Sequence, residues 1–140
     1  MKPGPLSRRP VAKKSRKRKR SARAEKAKKD QETRALVMER DRYKCQLAGL
    51  GKAWNESLGW LPLRCTPQLQ WMHIKSRRYL STRWLPANSL AGCAAHHRWS
   101  HDNPDEFIEW WLRTYPERAA EVKAALKAAA LVQAMEAMLK

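Results

Sequence analysis

All four histidines of this 140-residue chain fall between His73 and His101, in a stretch that also holds Cys93 and, midway, Asn88. Outside residues 71–101 the composition is dominated by lysine, arginine and alanine. A chain of this length makes one ordinary domain plus extensions. Clustered imidazoles therefore have to be carried by a few short elements of one small core. A lone strand histidine is more often a satisfied core residue than a reactive one, so the elements around each histidine decide the reading.

Leu69-Gln70-Trp71-Met72-His73-Ile74 has the length and apolar character of a buried strand. Residues 79–92 read as a loop broken at Pro86, with Trp84 and Leu85 as core anchors. Cys93 to His101 lacks Gly and Pro and starts a helix. Asn103-Pro104-Asp105-Glu106 marks a further helix start, with a capping residue, an early proline and two acids at the positive end of the dipole. Phe107, Trp110, Trp111 and Leu112 supply its apolar face. Thr114-x-x-Glu117 has the form of a capping box and opens an alanine-rich helix reaching Met138, whose Met135 and Met138 read as packing residues. Upstream, helix formers dominate from Ala22 to Arg42, with Ala35, Met38 and Arg42 on one face and a stop near Asp41–Tyr43. Gly49 to Pro62 reads as a glycine-rich loop. Trp71, Trp84, Trp99, Trp110 and Trp111 are assigned to the core, leaving Trp54 and Trp60 for any base stacking.

Charge points to the partner. The chain carries a net charge of +17. Residues 1–30 hold 14 Lys/Arg against two acids, and the remainder holds 16 against 11. The core thus stays basic without its tail, which favours a polyanion and nucleic acid first. The block Lys13–Arg20, with Lys17, Arg18, Lys19 and Arg20 at its end, repels itself and has nothing to bury. Residues 1–30 are accordingly expected to be a disordered arm that binds phosphates through counterion release. No run is apolar enough for a signal peptide or a membrane span, and three irregularly spaced cysteines make no disulfide framework. The expected setting is a reducing interior without membrane contact.

His73-Ile74-Lys75-Ser76-Arg77, Thr82-Arg83-Trp84, Asn88 and Cys93-x-x-His96-His97 together resemble the HNH (ββα-metal) nuclease family, most of all its small phage and prophage members. The resemblance covers roughly residues 34–115. It implies an α+β protein with a ββα-metal core over 31–115, flanked by the arm (1–30) and the C-terminal helix (116–140). It also implies a metal-dependent endonuclease that nicks or cuts DNA in the cytoplasm of a bacterial host. His73 would be the general base, Asn88 the residue holding the loop and histidine, and His97 a ligand of a catalytic divalent metal (Mg, Mn, Ni or Zn). Imidazole suits the base role because it titrates near neutrality, and a divalent cation offsets charge on the phosphate. Lys75, Arg77 and Arg78 would grip flanking phosphates.

The chain departs from that pattern at Met72, where the family carries Asp or His as a second metal ligand; thioether is a poor ligand for hard cations. Three alternatives follow. One protein ligand suffices, as in the His-Cys-box homing endonucleases; or His101, one helical turn after His97, supplies the second; or the fold binds DNA without cutting it. The knuckles that hold a structural zinc in many family members are also altered. Here Cys45 lacks its partner cysteine and Cys93 is followed by His96. With Cys65, these residues form a candidate zinc set of three thiolates and one imidazole; three buried apolar cysteines are the alternative. The rival functions are a zinc-stabilised DNA-binding protein and an accessory factor of a phage packaging or recombination complex docking through the last helix.

Overall fold

The computed structural model describes residues 12–138, with side chains from Arg18 onward. It is α+β, with five α-helices and two small antiparallel sheets. Helix α1 (Ala12–Arg40) precedes a hairpin of β1 (Lys52–Asn55) and β2 (Gly59–Pro62). Strand β3 (Leu69–His73) pairs with β4 (Ser89–Cys93), which runs directly into α3 (Ala94–Asp102). Between those strands lie a one-turn helix α2 (Leu80–Arg83) and a 3-10 turn (Pro86–Asn88). Helices α4 (Pro104–Thr114) and α5 (Pro116–Met138) complete the chain.

The core gathers Leu47, Met72, Leu90, Trp99, Phe107, Trp111 and Val122, so it draws on the loop after α1, both strands of the second sheet and α3 to α5. Strand β4 is buried along its whole length. Its backbone is reached by the turn after α1, where the buried Asp41 carboxylate accepts from Ala91 N at 2.8 Å. Arg40 adds hydrogen bonds to the carbonyls of Pro86 and Ser89, both at 2.8 Å. The packed stripe of α1 is Thr33 and Val37, joined by Met38 and continued by Asp41, while Ala35 and Arg42, expected on that face, are exposed. The helix ends at Arg40, close to the expected stop, and the turn that follows has positive φ at Arg42 and Tyr43.

Several elements differ from expectation. The helix expected from Ala22 begins ten residues earlier, at Ala12, so residues 12–30 are helical rather than a disordered arm; residues 1–11 and the side chains before Arg18, that of Lys17 included, lie outside the described residues. Ala and unbranched Lys, Arg and Glu favour helix, the packed last turns from Thr33 supply the nucleus, and Glu25–Lys29 and Lys28–Glu32 are ion pairs one turn apart. The glycine-rich segment is a hairpin, not a loop. Its glycines serve the turns: Gly59 has φ +74°, and Gly51, at φ +73°, passes so close to Trp99 that a Cβ would meet the indole at 2.7 Å. Residues 89–92, taken as loop, are β4. Asn103 sits at the N-cap of α4, as expected, but its side chain makes no capping bond there; its amide donates instead to Trp99 O at 3.0 Å and closes α3. Thr114 belongs to α4, and α5 begins at Pro116.

The tryptophans divide as expected. Trp99 and Trp111 are buried, and Trp71, Trp84 and Trp110 are half-buried. Trp54 and Trp60 are exposed on the hairpin, edge to face at 5.5 Å. Met135 and Met138, expected to pack, are exposed, because the end of α5 extends beyond the core. Leu112 is also half-exposed. No helix among the described residues is long and apolar enough to cross a membrane.

Candidate active site and metal centre

Residues at the end of β3, in the following loop and on α3 line one cleft of about 750 Å³. His73, Arg77, Arg78, Arg83, His97 and His101 are among them. The cleft is basic: three guanidinium groups line it and, among the described residues, no carboxylate does. Lys75 is not among its lining residues; its ammonium group lies over the Tyr79 ring.

His73 is held on two sides. Its ring packs against Trp71 at 4.2 Å between centroids, and its Nε2 lies 3.2 Å from the carbonyl oxygen of Arg83. A carbonyl only accepts, so Nε2 carries the proton and Nδ1 keeps its lone pair. Burial pushes the His73 pKa down to about 4, the neighbouring Arg77 and Arg83 charges acting in the same direction. The ring is therefore neutral at physiological pH.

Asn88 organises the loop that presents these groups. Fully buried, it accepts from Lys75 N at 2.8 Å and donates to Lys75 O at 3.0 Å and Thr82 O at 3.1 Å. Its own carbonyl accepts from Ile74 N at 2.8 Å. One side chain thus closes the excursion between β3 and β4 just beyond His73.

On α3, His97 and His101 stand one turn apart with ring centroids 4.9 Å apart. His97 Nδ1 is hydrogen-bonded to the Oε1 of Gln70 on β3. An amide oxygen only accepts, so Nδ1 is the protonated nitrogen and Nε2 is free to ligate. Burial, then the His101 and Arg77 charges, lowers the His97 pKa and favours the neutral form a metal requires. Met72 cannot contribute. It is 1 % exposed and lies against Leu47 and Gly92, so close that a Cβ on Gly92 would meet its sulfur at 2.0 Å. Met72, the residue before His73, is thus part of the core, and His101 is the further imidazole at the cleft.

On the adjacent face of α3, His96 belongs to a different cluster. Cys45, Cys65, Cys93 and His96 bring their ligand atoms within 4.8 Å of one another, and they could bind a metal ion. The four positions are supplied by the turn after α1, the segment before β3, the end of β4 and the first turn of α3. Cys93 is the N-cap of α3, its sulfur accepting from His96 N. Cys45 Sγ accepts from Cys93 N at 3.3 Å. His96 Nε2 lies 3.1 Å from the carbonyl of Leu50 and so donates there, which turns Nδ1 to the sulfurs, 3.0 Å from Cys93 and 3.6 Å from Cys65. Burial pushes the Cys45 thiol up to about 12. Burial acts the same way on Cys93, but hydrogen bonds from His96 and Thr66 outweigh it and hold that thiol at about 6.

No family model, curated protein or solved structure matches this chain.

The sequence-predicted residues thus fall into two neighbouring sites. His73, Arg77, Arg78, His97 and His101 share the cleft, with Asn88 buried beneath its loop; Cys45, Cys65, Cys93 and His96 form the second cluster. Lys17 to Arg20 lie on α1, away from both in sequence. Gln70 and Asp30 are not singled out by the sequence, and Arg83 enters there only within Thr82-Arg83-Trp84, without a role. Gln70 had one local signal, a polar side chain within an otherwise apolar strand.

Proposed function

We propose that this chain is a metal-dependent endonuclease of the HNH (ββα-metal) type that hydrolyses phosphodiester bonds in DNA. The observation that carries it is His73: a neutral imidazole with Nε2 pinned to a backbone carbonyl and, among the described residues, no hydrogen bond on Nδ1, in the same basic cleft as His97 and His101. The succession β3, β4, α3 supports the reading, since it is the order of elements the resemblance implies.

In this mechanism His73 Nδ1 removes a proton from water as the water oxygen bonds to phosphorus and the bond to the departing sugar oxygen breaks. The phosphate brings negative charge to the cleft, which raises the basicity of His73 at the moment it is needed. Arg77 and Arg78 hold the phosphates, and Asn88 keeps the loop and His73 in register. His97, oriented by Gln70, and His101 would hold the divalent ion, which supplies Lewis-acid stabilisation of the developing charge. An imidazole pair fits manganese, nickel or zinc better than magnesium. The second cluster fits zinc, with three sulfurs and one oriented nitrogen, and as a structural ion it would tie α1, β4 and α3 together. The test is cleavage of supercoiled plasmid with each metal in turn. Activity should require added metal and be lost in His97→Ala; an intact plasmid under every metal would overturn the proposal.

A further inference from the structure

Helix α1 has a two-part character that the catalytic reading does not use. From Thr33 to Val37 one stripe packs on the core, yet every residue from Arg18 to Lys29 is exposed. The two parts meet at Asp30. Its carboxylate takes a bidentate pair from Arg83, Oδ2 to Nη2 at 2.6 Å and Oδ1 to Nε at 2.9 Å, and accepts from the Trp84 indole at 2.9 Å. Lys29 adds its ammonium over the Trp84 ring at 5.2 Å. Arg83 also lines the cleft and carries the carbonyl that meets His73. An acidic side chain at the end of a strongly basic run thus clasps α1 to the rim of the cleft.

Helical spacing extends the stripe defined by Asp30 to Lys26, Arg23 and Lys19, four, seven and eleven residues before it. Where the core-facing stripe runs out of protein to pack on, it becomes basic. At roughly 1.5 Å per residue, Lys19 lies about 16 Å beyond the clasp.

Resting on the nucleic-acid reading above, we propose that the Lys19–Arg23–Lys26 stripe and the cleft are two walls of one groove that seats duplex DNA, with the Asp30–Arg83 clasp fixing the angle between them. Charge complementarity identifies the occupant: Lys19, Arg23 and Lys26 have no acid among them, and with Arg83 paired to Asp30 the cleft still offers Arg77 and Arg78 with no carboxylate of the described residues lining it. Duplex is favoured over a single strand because residues 18–29 hold no aromatic on which bases could stack. A helix about 10–12 Å across also matches the width of a major groove, about 12 Å.

The test is binding of a labelled DNA duplex to the full chain across a salt series, without added divalent metal. Lys19→Ala/Arg23→Ala/Lys26→Ala is compared with Arg18→Ala/Arg20→Ala/Lys28→Ala, which removes the same charge from other sides of the helix. At about 0.9 in log–log slope per phosphate contact, the first variant should lose about 2–3 from the slope and more than ~10-fold in affinity. The second should lose less than about 1 in slope. Asp30→Asn gives a readout of opposite sign to simple electrostatics. Removing a carboxylate near a polyanion should tighten binding, whereas a lost clasp should weaken it by ~3-fold or more. Equal losses from the two triple variants, or tighter binding by a folded Asp30→Asn, would overturn the groove while leaving the nucleic-acid reading standing. A wild-type chain that binds no duplex would overturn both.

Discussion

Asn88 and Lys75 are joined twice, amide to backbone in both directions, across the mouth of the loop that separates β3 from β4. Asn88 also holds Thr82 O, so three backbone groups depend on one buried side chain. In Asn88→Ala Lys75 N and Lys75 O lose this partner, and Thr82 O keeps the hydrogen bond from Leu85 N. The expected cost is ~2–3 kcal/mol, a fall in melting temperature of roughly 5–10 °C. Asn88→Asp should be no better, because a carboxylate cannot donate to Lys75 O and Thr82 O. Thermal melts of both variants check this, and a melting temperature within 1–2 °C of wild type would contradict it.

Gln70 and His97 meet across the β3–α3 interface, and Gln70 selects the His97 tautomer. Losing such an orienting partner commonly lowers metal affinity by about 10–100-fold. Gln70→Ala should show that loss in a manganese titration, and Gln70→Glu should retain binding because a carboxylate also accepts from Nδ1. Unchanged affinity in Gln70→Ala would show that the hydrogen bond does not act on the metal.

His73 should titrate near pH 4, well below an ordinary histidine, because burial disfavours its cation. The unfolded chain binds that proton at about 6.5. The contribution of neutral His73 to stability is therefore complete above about pH 6.5 and is lost as pH falls through 4. Imidazole resonances followed by NMR check the midpoint, and His73→Gln should flatten this part of the stability profile. A midpoint near 6.5 would contradict the burial of the ring.

Elemental analysis should find one zinc per chain at the Cys45, Cys65, Cys93 and His96 cluster. Cys65→Ser should lose it and lower the melting temperature by about 10 °C or more, since metal binding at such sites is folding energy. A metal-free chain that melts like the wild type would leave the four residues as ordinary packing.

These sites were unequally legible in the sequence. Strand β3 and helix α3 could be read because an apolar run and an absence of breakers are local properties. The different duties of His96 and His97 follow from adjacency, which puts neighbours about 100° apart on a helix. The β1–β2 hairpin was hidden because β1 is exposed throughout and carries no alternation of burial, while its glycines look like loop. Gln70 and Asp30 were hidden for another reason. Their partners lie 27 and 53 residues away, and neither hydrogen bond leaves a mark at either end of the sequence. The helix formers from Ala22 were legible, but the helical state of residues 12–21 was not, because the self-repulsion of Lys13–Arg20 is local whereas the packed nucleus at Thr33–Asp41 lies further along the chain.

The most direct measurement sets wild type and His73→Ala side by side, scoring cleavage of supercoiled plasmid with manganese and binding of a DNA duplex without it. If His73 is the base, the variant should lose at least ~100-fold in cleavage rate and keep duplex affinity within about threefold. Cleavage at the wild-type rate in the folded variant, or loss of cleavage and binding together, would contradict it.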